Sequence, residues 1–334
     1  MNSKKQSILI TGGAGYIGSH AILAFRRNGF NNIVVIDDLS TGQQQNVPDD
    51  IPLIVCDIAD TDKVSDVLET YNIGAVIHFA GSIIVPESIT NPLAYYRNNT
   101  SASRNLIECC IKKNVAAFIF SSTAAVYGKP DQLSVDENAP TNPISPYGTS
   151  KLMTEWMLRD TASAHCFFKH VILRYFNVAG TDPEGRVGQR SSETTHLIRV
   201  ASQVAAGVRD HIDIFGNDYN TPDGTCIRDF IHVSDLADAH VHALQYLLEG
   251  GDSETFNCGY GKGYSVKEVL QEVNRLSERE IKTRIAPRRE GDVKALISCV
   301  DKINERLKWT PHYNDLETII RTSIEWEKHL NDCC

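Results

Sequence analysis

No apolar run in this 334-residue chain approaches the ~20 residues that a membrane-spanning helix needs, so a membrane protein is not expected. Basic charge is short as well: 33 Lys and Arg face 42 Asp and Glu, a net charge of −9. A non-specific nucleic-acid binder would show a basic face, and this composition argues against one. Local basic clusters such as Arg288-Arg289 remain, enough for a small anionic ligand. Patterned cysteines are missing too. The 9 cysteines are odd in number and none has C-x-x-C spacing, which reads as free thiols in a reducing cytoplasm. The terminal Cys333-Cys334 pair reads as a frayed end. Met1 to Gln6 is polar and the apolar run behind it is short and enters a glycine turn, so no signal peptide is expected. No internal repeat and no low-complexity tract appears. What is present is ordinary for a globular chain: 42% hydrophobic and 22% charged residues, enough for a sizeable core. The length predicts one large domain with a lobe, or two intimate domains.

Short β-branched runs alternate with amphipathic stretches through the first half. Strands are expected at Ser7–Thr11, Ile33–Asp37, Ile51–Cys56, Ala75–Phe79, Ala117–Ser122 and His170–Tyr175. Helices are expected at Ile17–Asn28, Val64–Tyr71, Pro92–Lys113 and Pro146–Arg159. This alternation means βαβ units and a parallel sheet covered on both faces. Beyond Asn177 the pattern loosens: a polar loop over 181–195, then helical stretches at Thr195–Val208, Val233–Glu249, Val266–Ser277, Ile303–Leu307 and Asn314–Leu330. The expected fold is α/β, a Rossmann-type doubly wound parallel sheet over 1–177 with a smaller substrate-binding lobe over 178–334. The boundary is soft and its segments are expected to interleave.

Thr11-Gly12-Gly13-Ala14-Gly15-Tyr16-Ile17-Gly18 follows an apolar strand and precedes a helix, the context in which a glycine loop cradles a dinucleotide. Gly12, Gly15 and Gly18 permit a tight turn and close approach to a pyrophosphate, and the helix N-terminus adds amide donors. The next strand ends at Asp37, about twenty residues on, where an acid accepts the adenosine ribose hydroxyls and repels a 2′-phosphate; that favours NAD over NADP. Asp38 shares the role or caps the turn. Cys56-Asp57-Ile58 ends the third strand where an adenine ring would lie; Asp57 is equally an N-cap.

Ser145-Pro146-Tyr147-Gly148-Thr149-Ser150-Lys151 places a tyrosine and a lysine one helical turn apart on one face. An ammonium nearby is expected to lower the tyrosine pKa, fitting it to take a proton from a sugar hydroxyl. The strand end Ser121-Ser122-Thr123 sits at the carboxyl edge where open α/β sheets bind ligands, so Thr123 or Ser122 is a candidate to bond the reacting oxygen, or else to cap the next turn.

These residues resemble the extended short-chain dehydrogenase/reductases, and within them the UDP-glucose 4-epimerase family, over nearly the whole chain. The resemblance is carried by TGGAGYIGSH (11–20), HFAG (78–81), PLAYYRNN (92–99), FIFSSTAAVYG (118–128), SPYGTSKLMTEWML (145–158) and LRYFNVAG (173–180). It continues in IFGNDYNTPDGTCIRDFIHVSDLADAH (214–240) and APRREGD (286–292). It implies a tightly held NAD, reduced and reoxidised in each cycle, a UDP-sugar substrate, a galactose-linked role and a homodimer packed through the helices holding Arg97–Lys113 and Pro146–Arg159. Tyr147 would be the base, Lys151 would orient the nicotinamide ribose and tune Tyr147, and Thr123 would bond the 4-oxygen. Gly12, Gly15, Tyr16, Ile17, Gly18, Asp37, Asp38, Asp57, Ile58, Phe79, Ala80, Gly81, Asn98 and Tyr175 would join Tyr147 and Lys151 around the cofactor. Phe176, Asn177, His196, Leu197, Asp213, Ile214 and Phe215 would line the substrate side. Arg228 and Arg289 would clamp the diphosphate and Asp292 would take the uridine ribose, roles that suit arginine forks.

Four positions depart from the family pattern. Ile83 stands where a lysine often contacts the cofactor, Thr195-His196 replaces an asparagine pair, and Leu296 stands where a tyrosine narrows the sugar pocket in strict glucose/galactose enzymes. An alternative is therefore a 4-epimerase of another UDP-sugar: N-acetylhexosamine, xylose/arabinose or glucuronate. A 4,6-dehydratase needs an acid pair after the threonine, and Ala124 and Ala125 stand there instead. A non-catalytic NAD-sensing scaffold would be expected to lose Tyr147 or Lys151. His240 and His242 have no carboxylate spacing for a metal, so none is expected. Trp156 and Trp326 read as core or dimer contacts.

Overall fold

The computed structural model describes residues 7–191, 194–289 and 291–332; the polar start and Cys333-Cys334 lie outside the described residues. Strand β1 (Ser7–Thr11) turns through the glycine loop into α1 (Tyr16–Arg27), followed by β2 (Ile33–Asp37), β3 (Leu53–Val55), α2 (Thr61–Thr70) and β4 (Ile73–His78). Two short helices, α3 (Val85–Thr90) and α4 (Pro92–Tyr95), lead through a π-helical turn at Tyr96–Ser101 into α5 (Ala102–Lys112). Then come β5 (Ala117–Thr123), β6 (Ser134–Val135), the long α6 (Pro146–Ala164) and β7 (Lys169–Tyr175). The second half runs β8 (Asn177–Ala179), α7 (Leu197–Ala205), β9 (Ile212–Phe215), β10 (Ile227–His232), α8 (Val233–Leu248) and β11 (Glu254–Cys258). It closes with β12 (Gly263–Ser265), α9 (Val266–Leu276), β13 (Thr283–Ala286), β14 (Ala295–Ser298), α10 (Asp301–Leu307) and α11 (Leu316–Asp332).

Seven strands form one sheet in the order β11-β7-β5-β4-β1-β2-β3, every neighbour parallel. Its strands are apolar on both faces because both faces are covered. Ile8 and Ile10 of β1 point into one core with Ala21, Ile22 and Phe25 of α1 and Leu236 and Leu244 of α8. Leu9, between them, points into the opposite core with Val64 and Leu68 of α2 and Leu106 and Ile107 of α5. The period of two is intact, and each half of it meets a helix layer.

The chain crosses back after residue 177. Strand β11 forms the outer edge of the seven-stranded sheet and α8 packs over the sheet with α1, so both belong with the first half of the chain. The rest of the second half builds a lobe: a sheet ordered β12-β10-β14-β6 with β8 beside β10, and the pair β13-β9, over a core of α7, α9 and α11. The sequence pattern marks the helices of this half and none of its seven strands. The strands are short and carry buried polar residues. Asp229 in the middle of β10 is fully buried, accepting hydrogen bonds from the backbone of Tyr260, Gly261 and Ser298. The one long helix expected over Pro92–Lys113 is instead broken by the π turn.

Candidate active site

The parallel strands end on a single cleft of about 1670 Å³ between the sheet and the lobe, larger than the ~300–1000 Å³ that one small ligand usually occupies. On the sheet side the glycine loop enters it. Gly12 has φ +70°, and a Cβ on Gly18 would stand 2.2 Å from the Gly12 carbonyl oxygen, so both positions need glycine. Helix α1 starts at Gly15 with no side chain capping it, which leaves its first amides open toward the cleft. Asp37 ends β2 buried, its carboxylate accepting from the Ala14 and Leu39 amides at 2.9 Å each. Burial pushes the Asp37 pKa up, and those two amides hold it back. Asp38 is exposed and caps the turn through Ser40, while Asp57 accepts from the Ala59 amide; the N-cap of α2 is Asp60.

Helix α6 begins at Ser145, whose hydroxyl accepts from the Gly148 amide, with Pro146 in its first turn. That start presents Tyr147 to the cleft and buries Lys151 behind it, 2% exposed. Tyr147 and Thr123 both line the cleft, and the Thr123 hydroxyl accepts from the Ala125 amide at 3.1 Å. Burial raises the Tyr147 pKa, and the Thr123 hydroxyl is the influence that opposes it. The expected lowering by a lysine ammonium is not what the geometry gives: Lys151 Nζ donates to the Ser121 carbonyl at 3.1 Å. Desolvation lowers the Lys151 pKa to about 8. Between the two hydroxyl candidates the structure separates roles. Thr123 faces the cleft, whereas Ser122 is fully buried and donates to Glu155 at 2.6 Å.

Nearly all the residues singled out from the sequence line this cleft, from Gly12, Tyr16, Asp37 and Asp57 through Phe79, Asn98, Thr123, Tyr147 and Tyr175 to Asn177, His196, Arg228, Arg289 and Asp292. Ile214 does not. Along β9 the side chains alternate, so Asp213 and Phe215 reach the cleft and Ile214 packs into the lobe core with Ile198 and Ala201. Lys151 sits one layer back. Arg228 gives two bonds to the Ile227 and Val293 carbonyls and one, at 3.4 Å, to Asp292. Arg289 lies over the Phe215 ring, 3.6 Å from its centroid. Leu296 lines the cleft near Phe176, and Ile83 is half-exposed on its rim.

The supporting layer was less visible in the sequence. The adjacent asparagines of the π turn both bond Ser82, but Asn98 lines the cleft whereas Asn99 is buried and also bonds Ser150 of α6. Beneath Thr123, Glu155 pairs with Arg174 at 2.6 Å, both buried, and Arg174 also donates to the Tyr127 hydroxyl, which donates to Asn257. Tyr147, Lys151 and Glu155 share one face of α6 at i, i+4 and i+8, so a signal for the third member existed. Its partner Arg174 is not readable from that spacing. His240 is buried with Nε2 2.9 Å from the Ser121 hydroxyl, Trp326 is buried, and Trp156 is half-exposed. Among the described residues no group of three or more His, Cys, Asp or Glu gathers as a metal site.

Comparison with known proteins places this geometry. Residues 8–259 match the model of the NAD dependent epimerase/dehydratase family. The chain is 51% identical to a UDP-glucose 4-epimerase of Azospirillum brasilense, over 97% of this chain and 92% of that protein. It superposes with a TM-score of 0.93 on the crystal structure of UDP-glucose 4-epimerase from Brucella ovis in complex with NAD, at 42% identity, covering 97% of this chain and 98% of that one. It also matches the UDP-Glc/GlcNAc 4-epimerase of Campylobacter jejuni, with a TM-score of 0.85 and 48% identity over 97% of this chain and 99% of that one.

Proposed function

The chain belongs to the NAD dependent epimerase/dehydratase family, and from that premise we propose that it is a UDP-glucose 4-epimerase, inverting C4 of a UDP-hexose with NAD as its cofactor. The observation that carries the reading is Tyr147 and Thr123 together on the cleft wall, with Lys151 buried behind and only Ala124 and Ala125 following. A base is present for a sugar hydroxyl, and no acid follows Thr123 to drive elimination.

The dinucleotide fits the residues present. The uncapped start of α1 offers amide donors to a pyrophosphate, the Gly12–Gly18 turn leaves room for it, and Asp37 stands where a ribose diol would be received. Gly15, Tyr16, Ile17, Asp38, Asp57, Ile58, Phe79, Ala80, Gly81, Asn98 and Tyr175 complete that side. When bound, NAD supplies the acceptor, and on the return the donor, of a hydride at the sugar C4. The chain's own part is proton handling and grip. Tyr147 takes the proton of the 4-hydroxyl and later gives it back to the same oxygen, to which Thr123 bonds, while the inversion comes from hydride return to the opposite face of C4. Lys151 holds the cofactor ribose side. Phe176, Asn177, His196, Leu197, Asp213 and Phe215 bound the substrate half, with Arg228 and Arg289 on the diphosphate and Asp292 on the uridine ribose. The cleft has room for the sugar to turn over between the two transfers.

We assign the cofactor to the seven-stranded sheet with its returning segment β11, and the UDP-sugar to the lobe. A cytoplasmic, galactose-linked role agrees with the seven described cysteines, all unpaired. A homodimer through the α5–α6 face is supported by Trp156 and Leu93, 50% and 78% exposed on neighbouring helices. Incubation with UDP-galactose and no added NAD is expected to give UDP-glucose, and Tyr147→Phe is expected to abolish turnover with the fold intact. Full epimerisation by that variant, or none by the wild type, would overturn the reading.

A further inference from the structure

Arg190 lies in the stretch between β8 and α7 and lines the same cleft. Its guanidinium carbon stands 4.8 Å from the Trp326 ring centroid. Trp326 is fixed in turn: it is buried, and its indole N–H donates to the Gln189 carbonyl at 3.1 Å. The arginine is therefore held by an aromatic face that is tied to its own neighbour in the chain, which orients the planar fork at low entropic cost.

Neighbouring arginines are paired. Arg186 meets Asp182 and Arg199 meets Glu327, at 2.7 and 2.8 Å. Arg190 is different. Its Nε is buried without a hydrogen-bond partner, and no carboxylate pairs with it among the described residues. A buried charged N–H left unmet is costly, more so than a neutral one, and the side chain that carries it lines the cleft, where an anion would compensate its charge. Planar forks of this kind suit the oxygens of phosphate groups.

We propose that Arg190 is a phosphate-binding residue, donating to the diphosphate of a nucleotide held in the cleft. The proposal rests on the reading of the cleft as the seat of NAD and a UDP-sugar, each of which carries a diphosphate. Arg190 lines the cleft together with Gly15 and Tyr16 at the start of α1 and His196 and Leu197 at the start of α7, so either diphosphate is a candidate.

The test uses the purified holoenzyme with Arg190→Met, which keeps an unbranched stem against Trp326, and Arg190→Lys, which keeps the charge without the fork. If Arg190 serves the UDP-sugar, the Met variant raises KM for UDP-galactose and Ki for UDP about 10- to 100-fold, with kcat within about threefold and NAD retained. If it serves NAD, the Met variant loses dinucleotide on gel filtration and regains normal KM when NAD is saturating. Values within twofold of wild type in both arms overturn the proposal. Should the Met variant fail to fold, the Lys variant decides: an intermediate loss in either arm supports the role, and wild-type behaviour overturns it. Calorimetry with inorganic pyrophosphate on wild type and Arg190→Met adds a readout independent of turnover. Equal binding counts against Arg190 alone; absence of epimerisation by the wild type counts against the reading of the reaction.

Discussion

Lys151 is a charge kept inside the protein beside the cleft, and its removal is expected to stabilise the fold while lowering turnover. The side chain is 2% exposed, and its one hydrogen bond goes to the Ser121 carbonyl. Desolvation lowers its pKa from 10.5 to about 8, which corresponds to about 3 kcal/mol of unfavourable burial at pH 7, at ~1.4 kcal/mol per unit. Lys151→Met removes that cost and forfeits a bond to a charged donor of about 1.5 kcal/mol, so a net gain of about 1–2 kcal/mol is expected. The pH dependence gives the sign. Because the folded-state pKa lies below the unfolded one, the unfolded chain binds more protons between about pH 8 and 10.5, and wild-type stability from this group rises with pH through that window. The advantage of the variant should therefore shrink by about 2 kcal/mol between pH 7 and pH 9.5. Urea unfolding of protein freed of dinucleotide measures both values, and turnover of UDP-galactose should fall by about 10² or more. A variant less stable than wild type at pH 7, or a difference that does not change with pH, would refute the reasoning.

Four further outcomes are expected. Glu155→Gln leaves the Arg174 guanidinium buried without its charge partner and should cost about 3–5 kcal/mol in urea unfolding, with Glu155→Leu/Arg174→Met recovering most of it. Thr123→Ala removes the hydroxyl that opposes the upward shift of Tyr147, so the acidic limb of kcat/KM should move to higher pH and kcat should drop about 10-fold or more. Asp37→Asn, which weakens an acceptor already bound to the Ala14 and Leu39 amides, should loosen NAD about tenfold by equilibrium dialysis and reduce the discrimination against NADP. Leu296→Tyr narrows the cleft near Phe176 and should slow UDP-N-acetylgalactosamine more than UDP-galactose in parallel assays.

The first half of the fold was legible because its code is local. A strand buried on both faces is an apolar run, a glycine triplet between strand and helix has few other uses, and Tyr147 and Lys151 share a helix face by spacing alone. Those features determined a parallel α/β sheet, a glycine loop between strand and helix, and a tyrosine–lysine pair on one helix face. What only the tertiary structure decided involves partners far apart in the chain. Strand β11 joins the sheet beside β7, some eighty residues earlier, and β10 tolerates the buried Asp229 because backbone amides from β14 and the turn after β11 satisfy it. Ser122 and Thr123 look alike as letters, and the sheet's alternation gave one to Glu155 and the other to the cleft. Lys151 could be placed from sequence beside Tyr147, but its charge state follows from burial, which no spacing encodes. Arg190 carries no motif at all. Its unmet Nε became visible only when the chain folded Trp326 beneath it, because the burial that makes such an N–H notable is a property of the packed molecule.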